Sequence, residues 1–116
     1  MTNPTLKNPV LLAWTTCPDE ASAKALAAAL VEARLATCVN RVGGVNSTYF
    51  WKGRVHEDTE ILLIMKTTAA RLPELEARLM VLHPYEMPEL LAVEIVDGNE
   101  NYLDWVRKGV ALPDRG

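Results

Sequence analysis

The sequence has few of the residues that mark secreted or membrane proteins. Its two cysteines, Cys17 and Cys38, make neither a disulfide framework nor a C-x-x-C pair. The first apolar run, Val10–Trp14, is far shorter than the ~18 residues that span a bilayer, and too short for a signal-peptide core. We therefore expect a cytoplasmic protein, in a reducing compartment, with no membrane partner.

Basic clusters and catalytic motifs are also missing. No segment is rich in lysine or arginine and the formal net charge is -3, so nucleic acid is not an expected partner. The chain has no nucleophile motif, no glycine-rich phosphate loop and no H-x-x-x-H metal helix. These absences predict a protein that is not an enzyme and has no organic cofactor.

What remains is the composition of one small globular domain. The chain has 116 residues, of which 49% are hydrophobic and 23% charged. Two domains would each lie near the lower size limit for a self-sufficient core. The polar segment 1–8 contains Pro4 and is predicted to be a flexible arm, followed by a single domain over residues 9–112.

The first half of the chain predicts a strand and a helix. The apolar run from Val10 to Thr16 is typical of a buried strand. Pro18 is predicted at the first helical position, where proline loses no hydrogen bond. The apolar stripe of this first helix has the spacing of one helix face and consists of Ala23, Leu26, Ala27, Leu30 and Val31.

A long hairpin is predicted next. Strand two runs from Leu35 to Val42, is interrupted by a bulge or sharp bend at Gly43-Gly44, and resumes over Val45–Trp51. Lys52-Gly53 fits a tight turn in which glycine supplies a positive φ. Strand three then runs over Arg54–Lys66.

A second helix follows, with Thr68 as its predicted cap and its end at His83, because Pro84 disfavours the helical conformation in the residue before it. Its predicted apolar face consists of Leu72, Leu75, Leu79 and Leu82.

The C-terminal part predicts one more strand and a short helix. Leu90–Val96 is predicted as strand four, and Asp97-Gly98 as a turn. Asn99 is predicted to cap a last helix that continues to Lys108, with Gly109 placed to end it.

The element order β-α-β-β-α-β plus a C-terminal helix predicts an α+β fold. It matches the ferredoxin-like sandwich, with two helices on an antiparallel sheet. A monomer of this fold would leave one sheet face in water, yet these strands are very apolar. Because monomers rarely expose large apolar patches, the pattern predicts an oligomer.

Several segments with this order and spacing are similar to one family. They are Thr16-Cys17-Pro18-Asp19, Leu35-Ala36-Thr37-Cys38-Val39-Asn40, Ser47-Thr48-Tyr49-Phe50-Trp51-Lys52-Gly53, Glu60 through Lys66-Thr67, His83-Pro84-Tyr85-Glu86-Met87-Pro88-Glu89 and Tyr102-Leu103-Asp104-Trp105. Through them the chain resembles the CutA family of divalent-cation tolerance proteins, from about residue 9 to residue 108.

The resemblance implies a ferredoxin-like fold and a tight homotrimer with edge strands paired between subunits. It also implies an architectural likeness to PII signalling trimers and an association with tolerance of divalent metals, copper above all. Copper ligands proposed in the family include a cysteine near the end of strand one and two adjacent histidines before Pro-Tyr. Thr15 and Leu82 stand at two of these positions here, so only His83 matches.

Three residues are candidate metal ligands. His83, Cys17 and Glu86 carry the nitrogen, sulfur and oxygen donors that copper, or second to it zinc, uses in proteins. Cys17 lies beside the start of the first helix, where backbone amides can acidify a thiol. The alternative for His83 is a structural role at a helix end, and for Cys17 a small residue required before Pro18.

A second set of residues predicts a ligand cleft near the hairpin. Glu60 and Lys66 are six residues apart, so both side chains lie on one face of strand three, where they bind a ligand or form a salt bridge. The set, completed from the family-like segments, consists of Cys38, Tyr49, Trp51, Glu60, Lys66, Tyr85 and Trp105. For Cys38 the alternative is a small hydrophobe within a strand.

Three functional hypotheses follow. The first is a trimeric metal-responsive protein with His83 as a ligand. The second is a PII-like signalling or scaffold trimer that binds a small anionic ligand or a partner protein at clefts between subunits, with Lys66 as a contact. The third and least supported is an enzyme that uses His83 and Glu86 as an acid–base pair.

Overall fold

The computed structural model describes residues 8–112, which form four strands and three helices. They are β1 (Val10–Cys17), α1 (Glu20–Glu32), β2 (Cys38–Trp51), β3 (Arg54–Thr68), α2 (Leu72–Leu82), β4 (Leu91–Glu94) and α3 (Glu100–Gly109). This order confirms the predicted α+β, ferredoxin-like fold. Most of the predicted N-terminal arm, residues 1–7, lies outside the described residues. Asn8 is held in place, because its Oδ1 accepts a hydrogen bond from the Ala70 backbone N–H at 2.9 Å.

The four strands form one antiparallel sheet in the order β2-β3-β1-β4. β1 pairs with the inner half of β3, Ile61–Thr68, so this half has a neighbour on both sides. The outer half, Arg54–Glu60, pairs only with β2. The β2–β3 hairpin therefore projects from the rest of the domain. With the hairpin included, the described structure is 51 Å long and 27 Å wide.

The two faces of the sheet are covered differently. One face, called here the helix-covered face, packs Ala13 of β1 and Leu63 of β3 against the buried sides of α1 and α2. The opposite face, called here the open face, is covered at one end by α3, where Val10 contacts Leu103 and Val106. Within residues 8–112, no helix is both long and apolar enough to cross a membrane.

α1 begins two residues later than predicted. The first helical residue is Glu20, not Pro18, and Asp19 is the N-cap. The Asp19 carboxylate accepts a hydrogen bond from the Ser22 backbone N–H at 2.8 Å, which satisfies one of the free amides at the helix start. Pro18 therefore lies before the cap.

β2 also begins later, at Cys38 instead of Leu35. The Leu35 and Ala36 amides donate to the Leu30 carbonyl at the end of α1, at 2.9 and 3.3 Å, so they are not free to pair in a sheet. Arg34 takes a left-handed conformation, with φ of 59°, as the chain leaves the helix.

The prediction for α2 is correct at its end and wrong at its start. His83 is the C-cap, with an extended backbone, as Pro84 requires. Thr68 belongs to β3, and the residue before α2 is Arg71, whose side chain makes no capping hydrogen bond. The buried stripe contains Leu75 and Leu79, whereas Leu82 is exposed.

β4 is shorter than predicted and α3 agrees with the prediction. The last hydrogen bond between the two strands runs from the Ile95 backbone N–H to the Val10 carbonyl oxygen. Because β1 begins at Val10, the chain beyond Ile95 has no strand to pair with. The Asn99 side chain accepts from the Tyr102 amide at 3.0 Å and caps α3. Gly109 is the last residue of that helix, and a Cβ there would lie 2.4 Å from Thr37 Oγ1, so this close approach requires glycine.

Candidate functional site

A cleft of about 680 Å³ lies on the open face at the base of the hairpin. It is formed by the end of β1, both strands of the hairpin and the loop between α2 and β4. Its lining residues are Thr16, Ser47, Thr48, Tyr49, Trp51, Glu60, Tyr85, Glu86, Met87, Pro88 and Glu89. Four residues of the predicted cleft set, Tyr49, Trp51, Glu60 and Tyr85, are among them.

The predicted glycine bulge decides which aromatic residues reach this cleft. The pairing register shifts between Val42 and Val45, and Gly44 has a φ of +72°. Because side chains alternate along a strand, a shift of one residue exchanges the two faces. The bulge therefore places Tyr49 and Trp51 on the same side as Glu60.

Glu60 and Tyr85 form a hydrogen-bonded pair inside the cleft. Glu60 is only 7% exposed, and its Oε2 accepts a hydrogen bond of 2.6 Å from the Tyr85 hydroxyl. Burial, together with this hydrogen bond, raises the pKa of Tyr85 well above its ordinary value, so the phenol stays protonated. The pair is a fixed donor and acceptor, with the negative charge on Glu60.

A second tyrosine–carboxylate pair lies further out on the hairpin. The Tyr49 hydroxyl donates to Asp58, and this hydrogen bond raises the pKa of Tyr49. The Tyr49 ring stacks on His56, with 5.3 Å between ring centroids. His56 Nε2 lies 3.0 Å from the Trp51 carbonyl oxygen, so this histidine is part of the hairpin framework.

At the rim of the cleft, Glu86 forms an ion pair with Lys52. Lys52 Nζ lies 3.7 Å from Glu86 Oε2 and 5.6 Å from the centroid of the Trp51 ring. Both charged side chains are largely exposed, so this ion pair contributes little to stability. The hairpin turn is as predicted, with positive φ at Lys52 and Gly53.

His83 holds the cleft loop to the end of β1. Its Nε2 lies 2.8 Å from the Thr16 carbonyl oxygen, which only accepts, and its Nδ1 accepts from the Tyr85 backbone N–H at 3.1 Å. These partners fix the neutral ring with its proton on Nε2. His83 therefore has no free nitrogen for a metal ion, and it is not the imidazolium that a helix C-terminus favours.

Cys17 is the last residue of β1 and is fully buried on the helix-covered face, with its Sγ 3.8 Å from His83 Nε2. Burial, with a smaller contribution from the charge of Asp19, raises the pKa of its thiol to about 11. The predicted acidification by helix amides is therefore wrong. A protonated, enclosed thiol is a poor metal ligand.

The predicted metal donors do not form a metal centre on this chain. Within residues 8–112, no three histidine, cysteine or carboxylate side chains are close enough together to hold an ion. Glu86 lies on the cleft rim beside Lys52, and away from the buried thiol of Cys17. Thr15, at the position of the family's proposed cysteine ligand, is buried on the helix-covered face with no partner for its hydroxyl. Within the described residues of a single chain, His83, Cys17 and Glu86 form no such cluster, and copper binding stays a prediction.

Three of the predicted cleft residues lie elsewhere. Lys66 pairs with Cys38 in the sheet register, its Nζ donates to Asn40 Oδ1 and it lies 3.6 Å from Cys38 Sγ. Six residues at ~3.3 Å each place Lys66 roughly 20 Å from Glu60, so the two side chains do not pair with each other within one chain. Trp105 is on α3, where its ring contacts Tyr102 at 5.4 Å.

Sequence reasoning did not identify several cleft residues. Thr16 contributes through its carbonyl oxygen, which leaves no mark in a sequence. Ser47 could have been identified from the turn at Lys52-Gly53, because a two-residue turn pairs residues whose numbers are equally far from it, here Ser47 with Asp58.

Comparisons with known proteins agree with this architecture. The chain matches the family described as CutA1 divalent ion tolerance protein over residues 11–109. It is 52% identical over 93 residues to the divalent-cation tolerance protein CutA of Thermus thermophilus, covering 80% of this chain and 90% of that protein. It is 44% identical to the human protein CutA, covering 85% of this chain but only 55% of the human protein.

Solved structures give the same result. The structure of the Thermus thermophilus protein superposes with a TM-score of 0.86 at 47% identity, covering 88% of this chain and 99% of that one. CutA1 from Oryza sativa gives a TM-score of 0.84 at 38% identity, covering 87% of this chain and 93% of that one. Sequence, fold and matched length together place this chain in the CutA1 divalent ion tolerance family.

Proposed function

We propose that this protein acts in divalent-ion tolerance as a homotrimer that binds a ligand or partner in the cleft beside the hairpin. The observation that supports the trimer most directly is the open face of the sheet. It carries apolar side chains that one chain leaves half-buried or exposed, namely Leu12, Trp14, Val42, Leu62, Ile64, Leu91 and Val93.

The projecting hairpin supports the same assembly. Its outer half is a two-stranded ribbon, and such a ribbon is marginally stable in water by itself. Phe50 and Val55, which pair across it, are 72% and 64% exposed. Contacts with neighbouring subunits would cover these side chains, and the family resemblance implies that three subunits do so.

Sedimentation of a matched pair of variants tests the trimer. We expect the wild-type protein to sediment at three times the chain mass of 12.8 kDa. Val93→Asp, on the open face, should sediment as a monomer, because burying an unpaired carboxylate costs several kcal/mol. Val81→Asp is the control, since Val81 is 80% exposed on the outer side of α2. A monomeric wild type, or equal effects of both variants, would contradict the proposal.

Direct binding of a divalent metal, copper first and zinc second, is a second candidate function. The family's association with divalent ions and the cleft carboxylates Glu60, Glu86 and Glu89 favour it. Carboxylate oxygens suit hard ions better than copper, which prefers nitrogen and sulfur. Any copper site would therefore need further donors from a second subunit.

Calorimetric titration with Cu(II) and Zn(II) tests the part of His83 in metal binding. We expect the binding curves of the wild type and His83→Ala to coincide, because both ring nitrogens are already hydrogen-bonded. Saturable binding that disappears in His83→Ala, with the trimer intact by sedimentation, would restore His83 as a ligand.

The proposed role is non-catalytic and cytoplasmic. A histidine with both nitrogens engaged is not a free acid or base, so the pair His83 and Glu86 lacks support as catalytic machinery. Both cysteines are free thiols, which suits a reducing compartment, although a relative from Archaeoglobus fulgidus is described as periplasmic. Cell fractionation checks the compartment.

A further inference from the structure

The cleft is acidic within a single chain. Glu60, Glu86 and Glu89 line it, and none of the lining residues within the described chain is basic. Lys66, the predicted contact for an anion, lies at the far end of β3. A concave site lined by one sign of charge attracts ligands of the opposite sign.

Glu60 is the carboxylate that a cation would satisfy best. It is nine-tenths buried, and only its Oε2 is engaged, by the Tyr85 hydroxyl. Its Oε1 makes no hydrogen bond with residues 8–112. Because a buried charge is costly without a partner, a cationic donor at Oε1 would be stabilising.

Three aromatic rings line the same cleft as this carboxylate. Tyr49, Trp51 and Tyr85 line the cleft, and the faces of such rings attract organic cations. Both tyrosine hydroxyls already donate to carboxylates, so their rings are held in position. Aromatic faces around a carboxylate are typical of sites for ammonium groups, whereas a metal ion requires several donors in one cluster.

One side chain of the protein already places an ammonium group between an aromatic ring and a carboxylate. The primary ammonium of Lys52 lies over the Trp51 ring and beside the Glu86 carboxylate at the cleft rim. It is largely exposed, so this contact is a weak one. The rim thus already combines an aromatic face, a carboxylate and an alkylammonium group.

We propose that the cleft binds the primary ammonium group of an organic amine, with Glu60 as its anionic partner and the rings of Tyr49 and Tyr85 beside its alkyl chain. This inference rests on the ligand-binding role proposed above and names the ligand class. The ammonium donates a hydrogen bond to the free oxygen of Glu60, and the Lys52–Glu86 pair stays at the rim.

Titration with n-butylammonium and its neutral counterpart n-butanol, followed by NMR or calorimetry, tests the proposal. We expect saturable binding of the amine, at least about tenfold tighter than the alcohol, because hydrogen bonds to charged groups are the stronger ones. Glu60→Gln retains an acceptor for Tyr85 but loses the charge, and should weaken amine binding at least about tenfold. Glu76→Gln, an exposed carboxylate on α2, is the matched control and should change nothing.

A second variant keeps the test valid if Glu60→Gln folds poorly. Lys52→Met removes a positive charge from the rim of the acidic cleft and should tighten amine binding about two- to threefold, the range for an exposed ion pair. A free amine and a lysine of a partner chain carry the same group, so a blocked lysine amide is titrated in parallel. Tighter binding of the lysine amide assigns the group to a partner chain, and tighter binding of butylammonium assigns it to a free amine.

Three results would overturn the proposal. They are equal binding of amine and alcohol, unchanged amine binding in both Glu60→Gln and Lys52→Met, and saturable Zn(II) binding without amine binding. Sedimentation of the same samples separates these failures from failure of the trimer, because a trimer that does not bind amines leaves the assembly proposal intact.

Discussion

The two faces of the sheet differ in how completely a single chain buries their apolar side chains. On the helix-covered face, Leu63 and Met65 are fully buried against α1 and α2. On the open face, the next residue along the strand, Ile64, is only half-buried, and Leu91 and Val93 are exposed. One face is a finished core, and the other has apolar surface that a single chain does not cover.

The same division separates the residues that could carry chemistry. Cys17 and His83 lie against the finished core, and each is enclosed or hydrogen-bonded within the chain. Glu60 and the aromatic residues of the cleft lie on the open side, where a carboxylate oxygen and ring faces are still available. Cys17 and His83, whose polar atoms are already engaged or enclosed, therefore lie apart from the cleft residues that still have polar atoms available.

Alanine at two adjacent positions of β3 gives the largest expected effect. Leu63→Ala should lower the free energy of unfolding by about 3 kcal/mol at every protein concentration, because it opens a cavity in the core. Ile64→Ala should cost less in one chain and act mainly on assembly, so its effect should depend on concentration. Urea unfolding at two concentrations measures both, and equal, concentration-independent losses would mean that the faces do not differ.

Replacement of His83 gives the next effect. His83→Ala leaves the Thr16 carbonyl and the Tyr85 amide without their partners, so we expect a loss of about 2 kcal/mol in the free energy of unfolding. His56→Ala, at the other histidine, should cost less than about 1 kcal/mol, because its ring is at the edge of the hairpin. Thermal or urea unfolding compares the two variants. A smaller loss for His83 than for His56 would contradict the structural role.

Much of the fold could be predicted from the sequence, because its signals are local. The turn at Lys52-Gly53 and the bulge at Gly43-Gly44 are encoded by glycines whose backbone conformations other residues rarely adopt. The start of β2 was predicted wrongly, because the Leu35 amide bonds back to the helix end and not to a strand. Competition between two partners for one amide cannot be read from hydrophobic pattern.

The site could be predicted only in part, because alternation gives the face of a residue and not its distance from another. Glu60 and Lys66 are on one face, as predicted, but the length of strand between them separates their environments. The predicted role of His83 as a metal ligand finds no support within one chain for another reason. The donors of His83 are used by a carbonyl and an amide of the backbone, groups that every residue has and no motif reveals.

The smallest expected effect is a change in the pH dependence of stability when Cys17, on the helix-covered face, is replaced by alanine. Its folded-state pKa of about 11 lies above the ordinary value of 9.0, so below pH 9.0 both folded and unfolded states keep the proton. Between these two values the unfolded thiol ionises first, and stability falls as pH rises. Cys17→Ala should therefore lose less stability than the wild type between about pH 8 and about pH 10.5, measured as the shift in Tm.

Cys38 is the control for this measurement, because it is only half-buried and lies on the open side of the sheet. Cys38→Ala should leave the wild-type fall in Tm in place, since the buried thiol that causes it is retained. If Cys17→Ala and the wild type lose stability in parallel, the thiol of Cys17 is not held in its protonated form by the core. Cys17 would then return as a candidate thiolate, and the helix-covered face would no longer be a purely structural side of the molecule.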